Sequence, residues 1–189
     1  SSAEKFYRAL VLDGTASELK SFDVEEVLRR FQNRTYAGES FSSVYTPDST
    51  DLTPIRDKGA KMLMYFGWGD ELVTPLSGIY YYDQVAKAMG GMESTREFYR
   101  LFMAPGMGHC GGGAGANAFG QGHLIPAMPR SDPLKNKPSH HIARALEAWV
   151  EEGFAPEKIV ATKYANDTPK EGVEFTRPLC AYPQIGVYQ

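Results

Sequence analysis

The sequence predicts an α/β fold, in which strands alternate with helices around one sheet. Two short apolar runs, residues 61–66 and 98–103, have the length and composition of buried strands. Between these runs, and again after the second, apolar residues recur at helical spacing. This alternation is typical of a sheet covered by helices. With 189 residues the chain is long enough for one core, so we expect a single domain over residues 1–189.

The part of the chain before the first strong strand contains one clear helix signal. Residues 6–12 form a short apolar segment. A helix is predicted from Asp23, which can cap its first turn, because the apolar residues that follow recur on one face. Residues 38–54 are rich in Ser, Thr, Gly and Pro and predict a connecting loop. Residues 51–59 predict a short turn of helix before the first strand.

Further helix signals follow each of the two strands. Thr74-Pro75 is a good helix start, and Gly90-Gly91 ends that helix. The glycine-rich segment 111–122 lacks the Gly-Lys-Ser/Thr of a phosphate-binding loop, so we predict a flexible loop beside an active site. A last helix is predicted from about Ser139, and Gly153 stops it.

Composition excludes several classes of partner. The net charge is −3 and no basic cluster is present, so a nucleic acid is not expected. No apolar stretch approaches the roughly 20 residues of a membrane-spanning helix, and we expect no membrane partner. The first residues lack the apolar core of a signal peptide, which predicts either a processed chain or a fragment.

Cysteines and glycosylation sequons bear on the compartment. Cys110 and Cys180 permit one internal bridge or two bridges to something else. The sequons that begin at Asn33 and Asn166 are potential glycan acceptors. Together these features favour a secreted, extracellular protein.

One acidic residue and one histidine follow the two predicted strands. Asp70 comes after Gly67-Trp68-Gly69, and His109 comes after Pro105-Gly106-Met107-Gly108. Carboxyl ends of neighbouring parallel strands meet at one edge of a sheet, where ligands bind in α/β proteins. An acid followed by a histidine is the chain order of α/β-hydrolases, with a nucleophile placed earlier still. The sequence therefore predicts an acid–base pair for nucleophilic catalysis.

Plainer interpretations of this pair remain open at this point. Asp70 could be a turn former or helix cap, and His109 could be incidental to its loop. His109 with Cys110 could bind zinc, but the spaced ligand pairs of zinc sites are missing, so we expect no metal. No Gly-x-Ser-x-Gly elbow is present, and neither Ser17 nor Ser77 has the context of a nucleophile.

Several motifs resemble the carboxyl-terminal part of the tannase and feruloyl esterase family. They span nearly the whole chain in order: residues 6–10, 51–56, 67–70 with Pro75, 99–103, 105–110, 149–151 and 177–183. Met-Gly-His-Cys, residues 107–110, and Arg-Pro-Leu-Cys, residues 177–180, are the most specific of these. The resemblance implies the carboxyl-terminal part of an α/β-hydrolase sheet.

The resemblance also assigns roles and identifies what is missing. It implies that Asp70 is the acid and His109 the base of a serine esterase acting on phenolic esters. It implies a disulfide between Cys110 and a cysteine beside the nucleophilic serine, and a lid that often binds calcium. The nucleophile segment and the lid are absent from this sequence, so we expect no cofactor in this chain. We also expect no triad activity from the chain alone.

The remaining expectations follow from that gap. The missing amino-terminal part of the enzyme would be the partner, held through Cys110, and an aromatic ester would be the substrate. Leu72 and Val73, just past the acid, are candidates for lining the pocket. Cys180 also lacks its expected partner; pairing with Cys110 is possible, but the family pattern argues against it. The alternative is a non-catalytic α/β domain that binds a phenolic or sugar ligand.

Overall fold

The computed structural model describes residues 23–45, 48–121 and 137–187, together with Lys5. The apolar segment predicted at residues 6–12 lies outside this part of the chain. The chain divides into two compact units, residues 1–49 and residues 50–189, and each is described by itself.

The described part of the first unit is built on one capped helix. Helix α1 spans Val24–Asn33, and the Asp23 carboxylate accepts hydrogen bonds from the backbone N–H groups of Glu25 and Glu26 at 3.0 and 3.2 Å. These bonds satisfy amide groups that have no partner inside the helix. The predicted helix and its cap are therefore confirmed.

A hairpin and a short helix follow α1, where the sequence predicted only a loop. Strands β1 (Thr35–Tyr36) and β2 (Glu39–Ser40) pair antiparallel, and α2 (Phe41–Tyr45) follows at once. The prediction of an uninterrupted loop over residues 38–54 is therefore wrong. The hairpin forms because its two connecting residues both adopt positive φ, the geometry of a tight two-residue turn.

The second unit begins with the elements that the sequence predicted best. They are α3 (Thr53–Asp57), β3 (Met62–Gly67), α4 (Pro75–Ala88), α5 (Met92–Arg96) and β4 (Tyr99–Ala104). Strands β3 and β4 are parallel, with Met62 beside Tyr99 and Gly67 beside Ala104. Parallel neighbours need a crossover, and α4 with α5 provides it. Only α5, too short to show a periodic pattern, was not predicted.

The carboxyl-terminal part adds a helix and an antiparallel pair of strands. They are α6 (Ile142–Glu152), β5 (Lys158–Tyr164) and β6 (Val173–Cys180). The predicted last helix is confirmed, and Gly153 ends it in the left-handed conformation. The β5–β6 pair was missed. After β6 the chain turns back to β4, and the Tyr182 N–H donates to the Leu101 carbonyl at 2.8 Å.

The core lies on both faces of β4. Phe102 belongs to a buried cluster that includes Ile142 and Ala145 of α6. Leu101, one residue earlier, belongs to a second cluster that includes Tyr82 and Val85 of α4. Successive strand residues point to opposite faces, so the strand is covered by a helix on each side. This is the layered arrangement of an α/β fold.

Candidate active site

Asp70 and His109 meet at the carboxyl ends of the two parallel strands. The Asp70 Oδ2 atom lies 2.9 Å from Nδ1 of the His109 ring, and Oδ1 lies 3.2 Å from the same nitrogen. The parallel register explains this proximity, because the two strands end side by side at Gly67 and Ala104. The structure thus brings together the two residues that the sequence singled out.

The Asp70 carboxylate is held by the turn that starts α4. Its Oδ1 atom accepts hydrogen bonds from the N–H groups of Leu72 and Val73, both at 2.9 Å. The side chain is only 5% exposed. Burial acts to raise the pKa of Asp70, but the hydrogen bonds from Val73, His109 and Leu72 outweigh it and hold the pKa below its usual value. Asp70 is therefore an oriented, ionised carboxylate at neutral pH.

His109 is the solvent-exposed residue of the pair. Its side chain is 42% exposed, in contrast to that of Asp70. Because Nδ1 faces a carboxylate, the neutral ring carries its proton on Nδ1 and leaves the Nε2 lone pair available. No described residue forms a hydrogen bond with Nε2. The geometry allows Nε2 to accept a proton from a nucleophile.

The turns before Asp70 and His109 are packed directly against each other. Gly69 donates its N–H to the Met107 carbonyl at 2.8 Å, and the Met107 side chain is fully buried. A Cβ atom at Gly67 would collide with that same carbonyl and lie 2.6 Å from the Gly108 carbonyl oxygen. Gly67 is therefore required for the close approach of the two turns.

The glycine-rich segment forms a loop over its described residues 111–121, and the predicted flexibility of this loop stays a prediction. It packs tightly on the backbone before His109, because Gly115 donates to the Gly106 carbonyl at 3.0 Å and Gly108 donates to Gly112 at 3.3 Å. Gly113 has φ +87, and a Cβ there would collide with the Gly106 carbonyl oxygen. The glycines permit this contact between backbones.

An exposed apolar surface adjoins the acid. Leu72 is 69% exposed and Val73 is 42% exposed, and Trp68 is 46% exposed. The N–H groups of Leu72 and Val73 fix Asp70, while the side chains of all three residues face solvent. Of the three consecutive tyrosines, Tyr80 is 67% exposed, whereas Tyr82 is fully buried in the core.

The two cysteines are both free thiols in this structure. Cys110 is exposed and has φ +62, an uncommon backbone conformation for a residue other than glycine. Cys180 is the last residue of β6 and is partly buried. The candidate glycosylation residues Asn33 and Asn166 are both exposed.

Tyr65 is a neighbour of the site that the sequence analysis missed. It is partly buried on β3, where its ring packs edge-on against Phe119 at 5.4 Å between ring centroids. Burial raises the pKa of Tyr65, and the nearby Cys110 thiol acts in the same direction. Its position two residues before Gly67 is the only signal for it in the sequence.

Neither a metal site nor a membrane span is found in the described residues. Within ranges 23–45, 48–121 and 137–187, no group of three His, Cys, Asp or Glu side chains is arranged to hold a metal ion. No helix in those ranges is long and apolar enough to cross a membrane.

Comparison with known proteins decides the family. The model of the family described as tannase and feruloyl esterase matches residues 1–189. The chain belongs to this family. An esterase of Xanthomonas campestris, described as uncharacterized, is 40% identical over 201 residues, covering 98% of this chain and 34% of that protein. Feruloyl esterase C of Talaromyces stipitatus is 42% identical over 139 residues, covering 73% of this chain and 25% of that protein.

Solved structures of esterases share the fold. The crystal structure of feruloyl esterase B from Aspergillus oryzae matches with a TM-score of 0.76 and 30% identity, covering 96% of this chain and 33% of that one. A crystal structure of an Aspergillus oryzae esterase matches with a TM-score of 0.78 and 30% identity, covering 98% of this chain and 35% of that one. The chain is thus a portion of an α/β-hydrolase-type fold. It spans about a third of the length of the proteins it matches.

Proposed function

We propose that this chain supplies the acid and the base of a serine carboxylesterase that hydrolyses phenolic esters. The observation that carries the proposal is the contact between Asp70 and His109, with Nδ1 bound to the buried carboxylate and Nε2 open. Family membership supports ester hydrolysis as the reaction, since the named relatives include feruloyl esterases.

The mechanism follows from the two sides of the imidazole ring. His109 Nε2 takes the proton of a serine hydroxyl while the serine oxygen bonds to the ester carbonyl carbon. Asp70 stabilises the positive ring that results. The tetrahedral intermediate collapses, the bond to the alcohol oxygen breaks, and His109 gives the proton to the departing alcohol. Water then repeats the sequence on the acyl-enzyme and releases the aromatic acid.

The nucleophile in this proposal comes from a segment outside the sequence. Among the described residues no serine hydroxyl is bonded to His109, and the Ser77 hydroxyl is bonded instead to the Thr74 carbonyl at 2.7 Å. The proposed partner is therefore the missing amino-terminal part of the enzyme. We expect a disulfide from Cys110 to a cysteine beside that serine, secretion, and glycans on Asn33 and Asn166. Intact mass under non-reducing conditions tests the bridge.

The exposed apolar surface beside Asp70 supports an aromatic substrate. Leu72, Val73 and Trp68 offer apolar area within a few residues of the acid. Small-molecule sites combine such area with a few oriented polar groups. In the proposed enzyme this surface contributes to the pocket for the phenolic acyl group.

The decisive experiment completes the enzyme with a known relative. In a chimera, residues 1–189 replace the matched third of the Xanthomonas campestris esterase, and methyl ferulate and methyl gallate are the substrates. We expect hydrolysis by the chimera and almost none by the chain alone. His109→Ala and Asp70→Asn should abolish hydrolysis, whereas His140→Ala, a histidine bonded to its neighbour Ser139, should not.

Two results would contradict the proposal. A folded chimera that hydrolyses neither ester would exclude the reaction. Full activity of the His109→Ala chimera would exclude His109 as the base. Binding of ferulate without hydrolysis would instead favour the alternative of a ligand-binding domain.

A further inference from the structure

Three polar side chains outside the candidate active site form a hydrogen-bonded cluster with the glycine-rich loop. They are Lys163 on β5, Asp167 in the 3-10 turn Ala165–Asp167, and Asn117 in the loop. The Lys163 ammonium lies 2.5 Å from Asp167 Oδ1 and donates to the Gly113 carbonyl at 2.6 Å. The Asn117 amide donates to Asp167 Oδ1 at 2.8 Å.

Burial makes this cluster costly unless its hydrogen bonds are kept. Lys163 is 9% exposed and Asn117 is 2% exposed, whereas most lysines and asparagines lie at the surface. A buried ammonium needs a charged partner and good acceptors. The acceptors in this case belong to Asp167 and to the loop backbone at Gly113. Lys163 and Asn117 are therefore fixed in place, and they fix the loop in turn.

The backbone next to the cluster is under constraint as well. Asn166 and Asp167 have φ of +49 and +54, values that cost free energy for residues other than glycine. The loop is also joined to β5 by two backbone hydrogen bonds between Ala118 and Thr162, at 2.8 and 3.0 Å. Such strain persists only where surrounding contacts enforce it, and the ion pair to Lys163 is one of those contacts.

The glycine-rich loop is in contact with the residues that immediately precede His109. A Cβ atom at Gly113 would lie 3.1 Å from the Gly108 nitrogen, and Gly108 immediately precedes His109. Gly115 is bonded to Gly106 on the other side of the buried Met107. Movement of Gly113 therefore displaces the backbone that carries His109, since the two segments are in direct contact.

We infer that Lys163, Asp167 and Asn117 are positioning residues, which set the orientation of His109 through Gly113. This inference rests on the proposed function for its effect on activity, but its effect on the ring can be observed without catalysis. The side-chain hydrogen bonds of Lys163 and Asn117 go to Gly113 and Asp167. The direction in which the pKa of Asp167 is changed agrees with this geometry. Burial raises the pKa of Asp167, but hydrogen bonds from Lys163 and Asn117 outweigh it and lower the pKa below the usual value.

The test is Lys163→Met, made in the chimera described above. This substitution keeps most of the length of the side chain and removes the ammonium. Because small misplacements of a catalytic group reduce the rate strongly, we expect kcat to fall by about ten- to a hundredfold, with KM nearly unchanged. Lys163→Arg should restore part of kcat. The matched control is Lys158→Met, an exposed lysine on the same strand.

A spectroscopic readout separates positioning from general loss of stability. In protein labelled with ¹⁵N-histidine, the ring resonances of His109 should shift in Lys163→Met and stay in place in Lys158→Met. The second variant is Asp167→Asn, which keeps the side-chain shape and suits a residue with positive φ. It should produce the same shift if Lys163→Met does not fold.

The two hypotheses fail in different ways. An inactive wild-type chimera contradicts the proposed function, but the ring shift in Lys163→Met would still support the inference. A wild-type value of kcat together with an unchanged His109 spectrum in Lys163→Met or Asp167→Asn would overturn the inference. An equal loss of activity in Lys158→Met would also overturn it.

Discussion

The two ends of the β3–β4 pair both carry charged side chains, but they use them differently. At the carboxyl end the exposed His109 ring rests on the buried Asp70 carboxylate, and one ring nitrogen has no described partner. At the amino end Arg100 is only 6% exposed, and its guanidinium donates to the Arg96 carbonyl at 3.1 Å and to the Pro156 carbonyl at 2.9 Å.

The amino end is saturated with partners. Arg100 also lies 2.7 Å from the Glu157 carboxylate and stacks 5.2 Å from the centre of the Trp149 ring. Lys61, directly before β3, lies 5.3 Å from that ring centre. The Arg100 guanidinium, with all these partners, contributes to structure. His109, whose Nε2 atom has no described partner, can accept a proton. We therefore expect substitutions at the carboxyl end to reduce activity and substitutions at the amino end to reduce the free energy of unfolding.

The largest effect is expected from His109→Ala in the chimera. Removing the base of a serine triad typically reduces kcat by about ten thousandfold or more. The free energy of unfolding should change by less than about 1 kcal/mol, because the ring is partly exposed and Asp70 keeps its hydrogen bonds from the Leu72 and Val73 N–H groups. Ester hydrolysis and urea unfolding measure the two quantities. A large loss of stability would mean that the carboxyl end is structural too.

Arg100→Met should have the opposite effect and reduce stability more than activity. It leaves the Pro156 carbonyl and part of the Glu157 carboxylate without a partner, and we expect the unfolding free energy to fall by about 2–3 kcal/mol. Urea unfolding followed by tryptophan fluorescence measures it. The matched control is Arg177→Met, an exposed arginine 5.0 Å from the centre of the Phe175 ring, which should cost about 0.5 kcal/mol. Equal losses in the two variants would remove the contrast.

Gly67→Ala tests how rigidly the carboxyl end is held. The added methyl group meets the Met107 carbonyl, a backbone atom that cannot rotate away, so we expect a loss of about 1–2 kcal/mol. Hydrolysis by the chimera should fall as well, because the turn before His109 must move. In Gly186→Ala the new Cβ has ordinary contacts, the nearest 3.9 Å away at Pro178, and should leave both quantities unchanged.

The smallest effect concerns acid stability, in which both ends take part. Burial acts to raise the pKa of Glu157, but Arg100 and Arg96 outweigh it, so its pKa and that of Asp70 are both lowered from their usual 4.5 and 3.8. Their stabilisation is complete above those values and is lost as the pH falls through the lower pKa of the folded state. Glu157→Gln and Asp70→Asn should each flatten the acid-side decline in unfolding free energy. Urea titrations between about pH 2 and pH 6 measure it. A decline as steep as the wild type's in both variants would contradict the assignment.

Sequence reasoning succeeded where the signal is local. The β3 and β4 strands are predominantly apolar runs, and α4 begins with a proline and ends before a pair of glycines. Asp70 and His109 could be singled out because each follows a strand directly. These signals depend only on neighbours along the chain.

The same reasoning failed where the partner is distant. The β6 strand is mostly exposed and contains Pro178, so its pattern does not resemble a buried strand. Lys163 looks like any surface lysine, because its acceptor at Gly113 lies 50 residues earlier in the chain. The acceptor of Arg100 at the Pro156 carbonyl likewise lies 56 residues later in the chain. Burial of a charge is decided by such long-range contacts, which composition and spacing do not encode.

Asp70 and His109 are separated by 39 residues of chain and lie at the ends of β3 and β4, the two parallel strands that α4 and α5 connect. Both are thus encoded in one continuous stretch, and the chain closes a short loop to bring them together. Recombination between family members that keeps residues 61–121 intact would transfer the pair with its supporting glycines as a block. The contact between Asp70 and His109 would thereby be inherited as one unit.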